Sequence, residues 1–195
     1  MPDPADPADP ALEPAAEDAT DRLDLYRPRP SDLAELHTIL ADPAVWRHYP
    51  SLRHDTVERT EATLARWSAG WEQDGLGTWI VRERGSGAVI GYGGCSMLGG
   101  VAWNLGYRFA ATAQGRGYAT ELARHAIEQA HAASPATPVV AYLVEHNAAS
   151  AAVAAKVGLE LVHRAPDAGN PDPSVVRLVL ADRPLTDAQL GAVLR

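Results

Sequence analysis

Val101-Ala102-Trp103-Asn104-Leu105-Gly106-Tyr107-Arg108-Phe109 runs into Ala110-Ala111-Thr112-Ala113-Gln114-Gly115-Arg116-Gly117, and Tyr118–Ala133 follows. The first nine residues read as a strand and the next eight as a loop. The last sixteen form an amphipathic helix, with Ala119, Leu122, Ala123, Ala126, Ile127 and Ala130 on one face. Pro135 and Pro138 close that helix. Val139–Glu145 is then an apolar run of the kind that fills a strand buried on both faces. A strand, a helix and a second strand in this order make a parallel crossover. Two glycines where a strand turns into a helix let the backbone approach an anion closely. The unpaired amides and dipole of the helix's first turn suit a phosphate or pyrophosphate, and Arg116 can add charge. The spacing is neither that of a Walker loop nor that of the dinucleotide fingerprint.

Upstream, Leu23–Tyr26 alternates as a short strand ended by Pro28 and Pro30. Ser31 opens a helix that places Leu33, Leu36, Ile39 and Leu40 on one face. Asp55 and Glu58 resemble a capping box for a second helix reaching about Gln73. Residues 78–83, a turn at 84–87 and residues 88–97 form a hairpin. Gly91, Gly93 and Gly94 in its second arm imply bulging or a close backbone neighbour. Downstream, Asn147 caps a short helix with Gly158 at its C′ position, and residues 159–164 are a strand. Residues 167–173 are a loop, followed by a final strand and a C-terminal helix capped by Thr186 and Gln189. The expected class is α/β with a mixed, mostly antiparallel sheet.

Composition narrows the possibilities. The chain has 195 residues, 46% hydrophobic and 22% charged, as in ordinary globular domains. Residues 1–24 hold eight acids, one base and five prolines, and account for nearly all of the net charge of −8. Residues 1–22 therefore read as a disordered acidic, Pro/Ala-rich tail, and residues 23–195 as one domain. The near-neutral body argues against nucleic acid as a general partner. The sequence offers neither a membrane span nor a signal peptide, which leads us to expect a cytoplasmic protein. Cys95 is alone, and no His/Cys/Asp cluster has metal-ligand spacing.

Gly106-Tyr107 and Gln114-Gly115-Arg116-Gly117-Tyr118-Ala119-Thr120-Glu121 resemble the Gln/Arg-x-x-Gly-x-Gly/Ala segment of the GCN5-related N-acetyltransferases (GNAT). Asn147, Ser150 and Lys156-Val157-Gly158-Leu159 are similar to that family's second signature. Residues 25–50 look like the branch that acetylates ribosomal-protein N-termini. The resemblance covers about residues 23–182. It implies a sheet with a splayed parallel strand pair and helices on both faces. It also implies direct transfer of an acetyl group from acetyl-CoA, without metal, to a protein N-terminal α-amine or a small-molecule amine, and a homodimer.

By that resemblance the pyrophosphate rests on the amides of Gly115, Gly117, Tyr118 and Ala119, and Gln114, Arg116 and Thr120 complete the cofactor-binding loop. Asn147 positions the pantetheine, and Lys156 belongs to the same cofactor set. The N–H near Phe109 faces the thioester carbonyl, a role worth ~3 kcal/mol for a fixed amide aimed at a developing oxyanion. Two departures from the family pattern stand out. Asn104 occupies the place of a carboxylate base, and Ala154 that of a tyrosine acid. Ser150 is then the expected partner of the departing thiolate. Glu145 and His146 are candidate substitute bases, with Glu83 behind them, each also readable as a structural or solvated residue. The absent carboxylate leans toward an α-amine, which titrates near ~8 against ~10.4 for lysine. Trp46, Tyr49, Trp71 and Tyr107 are candidates to line the acceptor cleft. His48, His54, His125 and His131 read as solvated. The two departures also leave room for an alternative, a non-catalytic acyl-CoA-binding sensor or interaction module.

Overall fold

The computed structural model describes residues 15–168 and 170–194. Eight strands form one sheet: β1 (Asp18–Ala19), β2 (Leu23–Tyr26), β3 (Thr78–Glu83), β4 (Val89–Leu98), β5 (Ala102–Phe109), β6 (Val139–Val144), β7 (Glu160–Pro166) and β8 (Val176–Ala181). Their order is β1-β2-β3-β4-β5-β6-β8-β7. Every pairing is antiparallel except β5 with β6. The helices are α1 (Leu33–Ala41), α2 (Val57–Asp74), α3 (Tyr118–Ala133), α4 (Ala148–Lys156) and α5 (Asp187–Leu194). Among the described residues no helix is long and apolar enough to cross a membrane.

Alternation along β3 divides the core. Trp79 and Val81 join a cluster with Leu122, Ala126 and Ala130 of α3. Ile80 points the other way, into a cluster with Leu36, Leu40 and Leu64 of α1 and α2. Val193 of α5 covers Ala102, Val140, Val179 and Ala181. The glycines of β4 are explained by close approach. A Cβ on Gly91 would lie 2.4 Å from the Arg108 carbonyl oxygen, and one on Gly93 2.7 Å from Leu122 Cδ2. The β4–β5 register runs unbroken, but against β3 the arm is bulged as well as crowded: Val81 pairs with Gly91 and Arg82 with Val89, which leaves Ile90, next to Gly91, as the extra residue.

Most local signals read from the sequence match. Asn147 Oδ1 accepts from the Ser150 N–H at 3.2 Å, and Gly158 takes φ 82° after α4. Thr186 and Gln189 satisfy each other's backbone N–H groups ahead of α5. The α2 cap is Thr56 rather than Asp55, accepting from the Arg59 N–H.

The N-terminal boundary moves. Residues 1–14 of the expected tail lie outside the described residues, but Asp18–Ala19 form the edge strand β1, and Glu17 and Thr20 bond the backbone of β2 beside it. Asp18 pairs with Leu25 and Ala19 with Asp24. Thr20 Oγ1 donates to Glu121 Oε1 at 2.6 Å, and Arg22 Nε donates to Glu121 Oε2 at 2.7 Å. Arg22 Nη1 donates to the Arg116 carbonyl at 2.9 Å. His125, expected in solvent, meets Asp18 at 2.6 Å. Two acids that composition assigns to disorder have specific partners here, Asp18 on His125 of α3 and Glu17 on Arg27.

Candidate active site

The site is made by two strands that part. β5 and β6 pair only at Trp103↔Val139 and Asn104↔Val140. Beyond them β5 stays on β4 as far as Phe109, and β6 stays on β8 as far as Val144. The Trp103 N–H donates to Pro138 O on the β6 side, whereas the Ala110 N–H donates to Ile90 O on the β4 side. Backbone alternation then turns the N–H groups of Leu105, Tyr107 and Phe109 into the opening. A cleft of about 720 Å³ runs through it.

One end of the cleft is the loop before α3. Gly115 and Gly117 take φ 76° and 84°, positions that suit glycine alone. Thr120 and Glu121 donate back to the Gly117 carbonyl. The five N–H groups from Gly115 to Ala119 have no acceptor among the described residues. Consecutive free amides at a helix start form an anion cradle. Gln114, Gly115, Gly117, Tyr118, Ala119 and Thr120 all line the cleft. Gln114 also fixes the turn, donating to the Phe109 carbonyl at 3.0 Å. The Arg116 side chain does not line the cleft. Its guanidinium pairs with Glu83 at 2.7 Å, and Tyr118 donates to the same carboxylate. Those bonds hold the Glu83 carboxyl below its usual range and pin the loop to β3. Glu83 is therefore an anchor for the loop rather than a base.

Across the opening lie Asn147, Ser150, Ala154 and Lys156 of the α4 segment. The Asn147 oxygen is committed to capping. Tyr107 reaches over from β5, its hydroxyl donating to the Ser150 carbonyl at 3.5 Å. Burial pushes the Tyr107 hydroxyl above its ordinary pKa, so it keeps its proton at neutral pH. Asn104 lines the cleft beside Ser96. Glu145 does not line it. Both its oxygens accept from Arg164, at 2.7 and 2.9 Å, and that partner lowers its pKa.

The other end is walled by the loop after α1, by Trp67 and by Tyr92. Tyr49 lines it and donates to Asp167 at 2.9 Å. Trp46 stands one layer behind, 5% exposed, its Nε1 donating to the Leu40 carbonyl. Trp71 is excluded altogether. It packs on Trp79 in the α3-side core and donates to the Thr78 carbonyl. Four residues here escape the sequence reading: His48, Arg108, Asp167 and Arg177. His48, expected on the surface, faces the cleft. Burial first, then the Arg108 charge, lowers its pKa to about 4. His54 is buried as well, bonded to Thr60, with its pKa also about 4. Asp167 Oδ1 lies 2.5 Å from Arg177 Nη2.

A splayed parallel pair with an amide cradle at its mouth is the geometry that the resemblance implies, and the family comparison agrees. Residues 22–160 match the model of the acetyltransferase (GNAT) domain.

The chain belongs to the GNAT acetyltransferase family.

Solved structures carry the same fold. An acetyltransferase from Agrobacterium tumefaciens is 26% identical, with a TM-score of 0.66 over 83% of this chain and 91% of that one. The ribosomal L7/L12 α-N-protein acetyltransferase in complex with coenzyme A is 18% identical, with a TM-score of 0.69 over 83% and 94%. The ribosomal-protein-S5-alanine acetyltransferase from Vibrio fischeri is 16% identical, with a TM-score of 0.68 over 84% and 93%. No curated protein sequence matches. Membership of an enzyme family favours the catalytic GNAT reading over a non-catalytic binding module.

Proposed function

We propose that this GNAT acetyltransferase moves the acetyl group of acetyl-CoA directly onto a primary amine, with an α-amine as the favoured acceptor. The observation that carries the reading is the run of five unpaired amides from Gly115 to Ala119, opening on a cleft that passes between β5 and β6. The pyrophosphate rests on those amides, and Lys156 adds charge on the same side. The pantetheine lies between the parted strands beside Asn147. The amine enters from the Tyr49 and Arg108 end. Its nitrogen attacks the thioester carbonyl carbon while the N–H near Phe109 steadies the developing oxyanion. The carbon–sulfur bond breaks, the nitrogen loses its proton to water, and the thiolate takes one from the side of Ser150 and Tyr107.

Acceptor choice follows from charge. Among the described residues the cleft contains no free carboxylate, because the one acid that lines it, Asp167, is paired with Arg177. Neighbouring cations disfavour an ammonium, so a bound amine sheds its proton more readily than in water. An α-amine is near neutrality already, whereas a lysine amine is about two pH units further away. The N-terminal acetyltransferases among the similar folds are consistent with this acceptor.

The test is a calorimetric titration with acetyl-CoA, using Gly117→Trp to obstruct the amide loop. One-to-one binding that the variant loses supports the reading. No binding by the unaltered protein overturns it.

A further inference from the structure

Among the described residues five charged side chains line the cleft, and four are cations: Arg47, Arg108, Lys156 and Arg177. Lys156 stands on the proposed CoA side, and Arg177 is neutralised by Asp167. Arg47 is exposed, with no carboxylate within 4 Å among the described residues. Arg108 is the unusual one. It is half-buried, yet all its protein partners are neutral. Nε donates to the Tyr92 hydroxyl at 3.2 Å, and Nη1 donates to the Val45 carbonyl at 3.1 Å and meets His48 Nε2 at 3.4 Å. The guanidinium lies 3.5 Å from the Trp46 ring centroid. Nη2 has no acceptor among the described residues. A guanidinium held over an indole, with Nη2 free, can receive the oxygens of a carboxylate or phosphate. A cation drawn partly out of water without a counter-ion is costly, and an incoming anion would relieve that cost.

We infer that the acceptor carries, close to its amine, an oxyanion that docks on Arg108. The inference rests on the reading of the Tyr49 and Arg108 end as the acceptor entrance. Arg108 directly precedes Phe109, so the docked anion lies one side chain's length from the proposed oxyanion amide. The acceptor's anion and its reacting nitrogen are therefore near neighbours within one small molecule or one peptide terminus. Arg108 binds and orients; it takes no proton. Neutral His48 at its side offers no competing charge, and Arg47 at the rim strengthens attraction for the anion.

The experiment uses the full chain saturated with CoA and measures amine binding by calorimetry in matched pairs. The pairs are alanine against alaninamide, Ala-Glu-amide against Ala-Gln-amide, and Ala-phosphoserine-amide against Ala-Ser-amide. We expect one pair to show at least tenfold tighter binding of its anionic member. The pair that does so identifies the anion as the acceptor's own carboxylate, a side-chain carboxylate or a phosphate. Arg108→Gln abolishes that discrimination, while Arg108→Lys keeps part of it by retaining charge without the planar fork. If Arg108→Gln does not fold, the Lys variant still must narrow the gap. Equal affinities within every pair, no binding of any amine, or equal weakening of both members by an Arg108 variant overturns the proposal. Acetyl-CoA affinity, measured separately on the unaltered protein, reports the acetyltransferase reading independently.

Discussion

The Tyr107 hydroxyl stands 3.5 Å from the Ser150 carbonyl oxygen, joining β5 to the first turn of α4 across the gap between the parted strands. Each residue carries a hydroxyl, and the residue lining the cleft one turn beyond Ser150 is the small Ala154. Two hydroxyls therefore flank the place assigned to the departing sulfur. A positioned proton donor contributes about 10²-fold or more to such a step. Ser150→Ala is expected to lower kcat by about 10²-fold with acetyl-CoA affinity little changed. Tyr107→Phe should cost less alone. The double variant should fall no further than Ser150→Ala if the two act as one unit. Steady-state rates paired with calorimetry decide this. Unchanged kcat in Ser150→Ala would remove the serine from the chemistry.

The pH profile carries a second prediction. Among the described residues the cleft has no free carboxylate, and His48 stays neutral down to about pH 4. His48, the histidine that lines the cleft, therefore does not titrate between pH 5 and 8. The rising limb of kcat/KM should follow the pKa of the acceptor amine and shift when an amine of different basicity is used. A limb fixed at one pH for every acceptor would point to an enzymic base instead.

The same histidines affect stability. His48 and His54 have folded pKa values of about 4 against an ordinary 6.5. Between those values the unfolded chain binds protons that the folded chain does not, so unfolding becomes easier as pH falls from 6.5 to 4. The slope reaches at most about 1.4 kcal/mol per pH unit for one buried imidazole, and less for half-exposed His48. Denaturant unfolding at pH 7, 6 and 5 should show the loss. His54→Gln should flatten it even if the variant is weaker at pH 7. An identical slope in that variant would mean His54 gains its proton as readily folded as unfolded.

The glycines of β4 set a steric limit. A methyl group at Gly91 would meet Arg108 O at 2.4 Å and Phe109 Cδ1 at 2.8 Å. Gly91→Ala should cost about 1–3 kcal/mol, as overpacking does. It should also weaken acetyl-CoA binding, since Phe109 borders the cleft. Thermal unfolding and calorimetry read the two effects separately.

Glu121 gathers Thr20 and the backbone and side chain of Arg22, through contacts of 2.6 to 2.9 Å. Glu121→Ala is expected to lower stability by about 1–2 kcal/mol, a magnitude typical of hydrogen bonds to a part-buried charge. Truncation to residue 23 removes the same contacts and should produce a similar loss. Equal stability after both changes would show that β1 contributes nothing.

Much of this was legible because it is written locally. Period-2 and period-3.6 patterns place β3, β5 and α3, and caps such as Asn147 depend on residues three apart. The amide loop is contiguous, so Gln114 to Thr120 could be read as one unit. The acceptor end could not. His48, Arg108 and Asp167 meet from three distant parts of the chain, and no spacing rule connects them. Tryptophan identity does not distinguish core from cleft, which is decided by the face of the helix or sheet. Trp71 turns to Thr78, and Trp46 serves as the floor beneath Arg108. Asp18 and Arg22 sit in a composition that suggests disorder, yet both hold partners on α3, His125 for Asp18 and Glu121 and Tyr118 for Arg22.

The two-residue ladder between β5 and β6 has a mechanical consequence. It makes the sheet two leaves on a short hinge, β1–β5 and β6-β8-β7, with the shared α3-side core as the main brace. Amide protons of β6 should exchange through a cheaper opening than those of β4, since fewer bonds must part. A molecule threaded between the leaves bridges them, so binding and cohesion of the sheet become the same event.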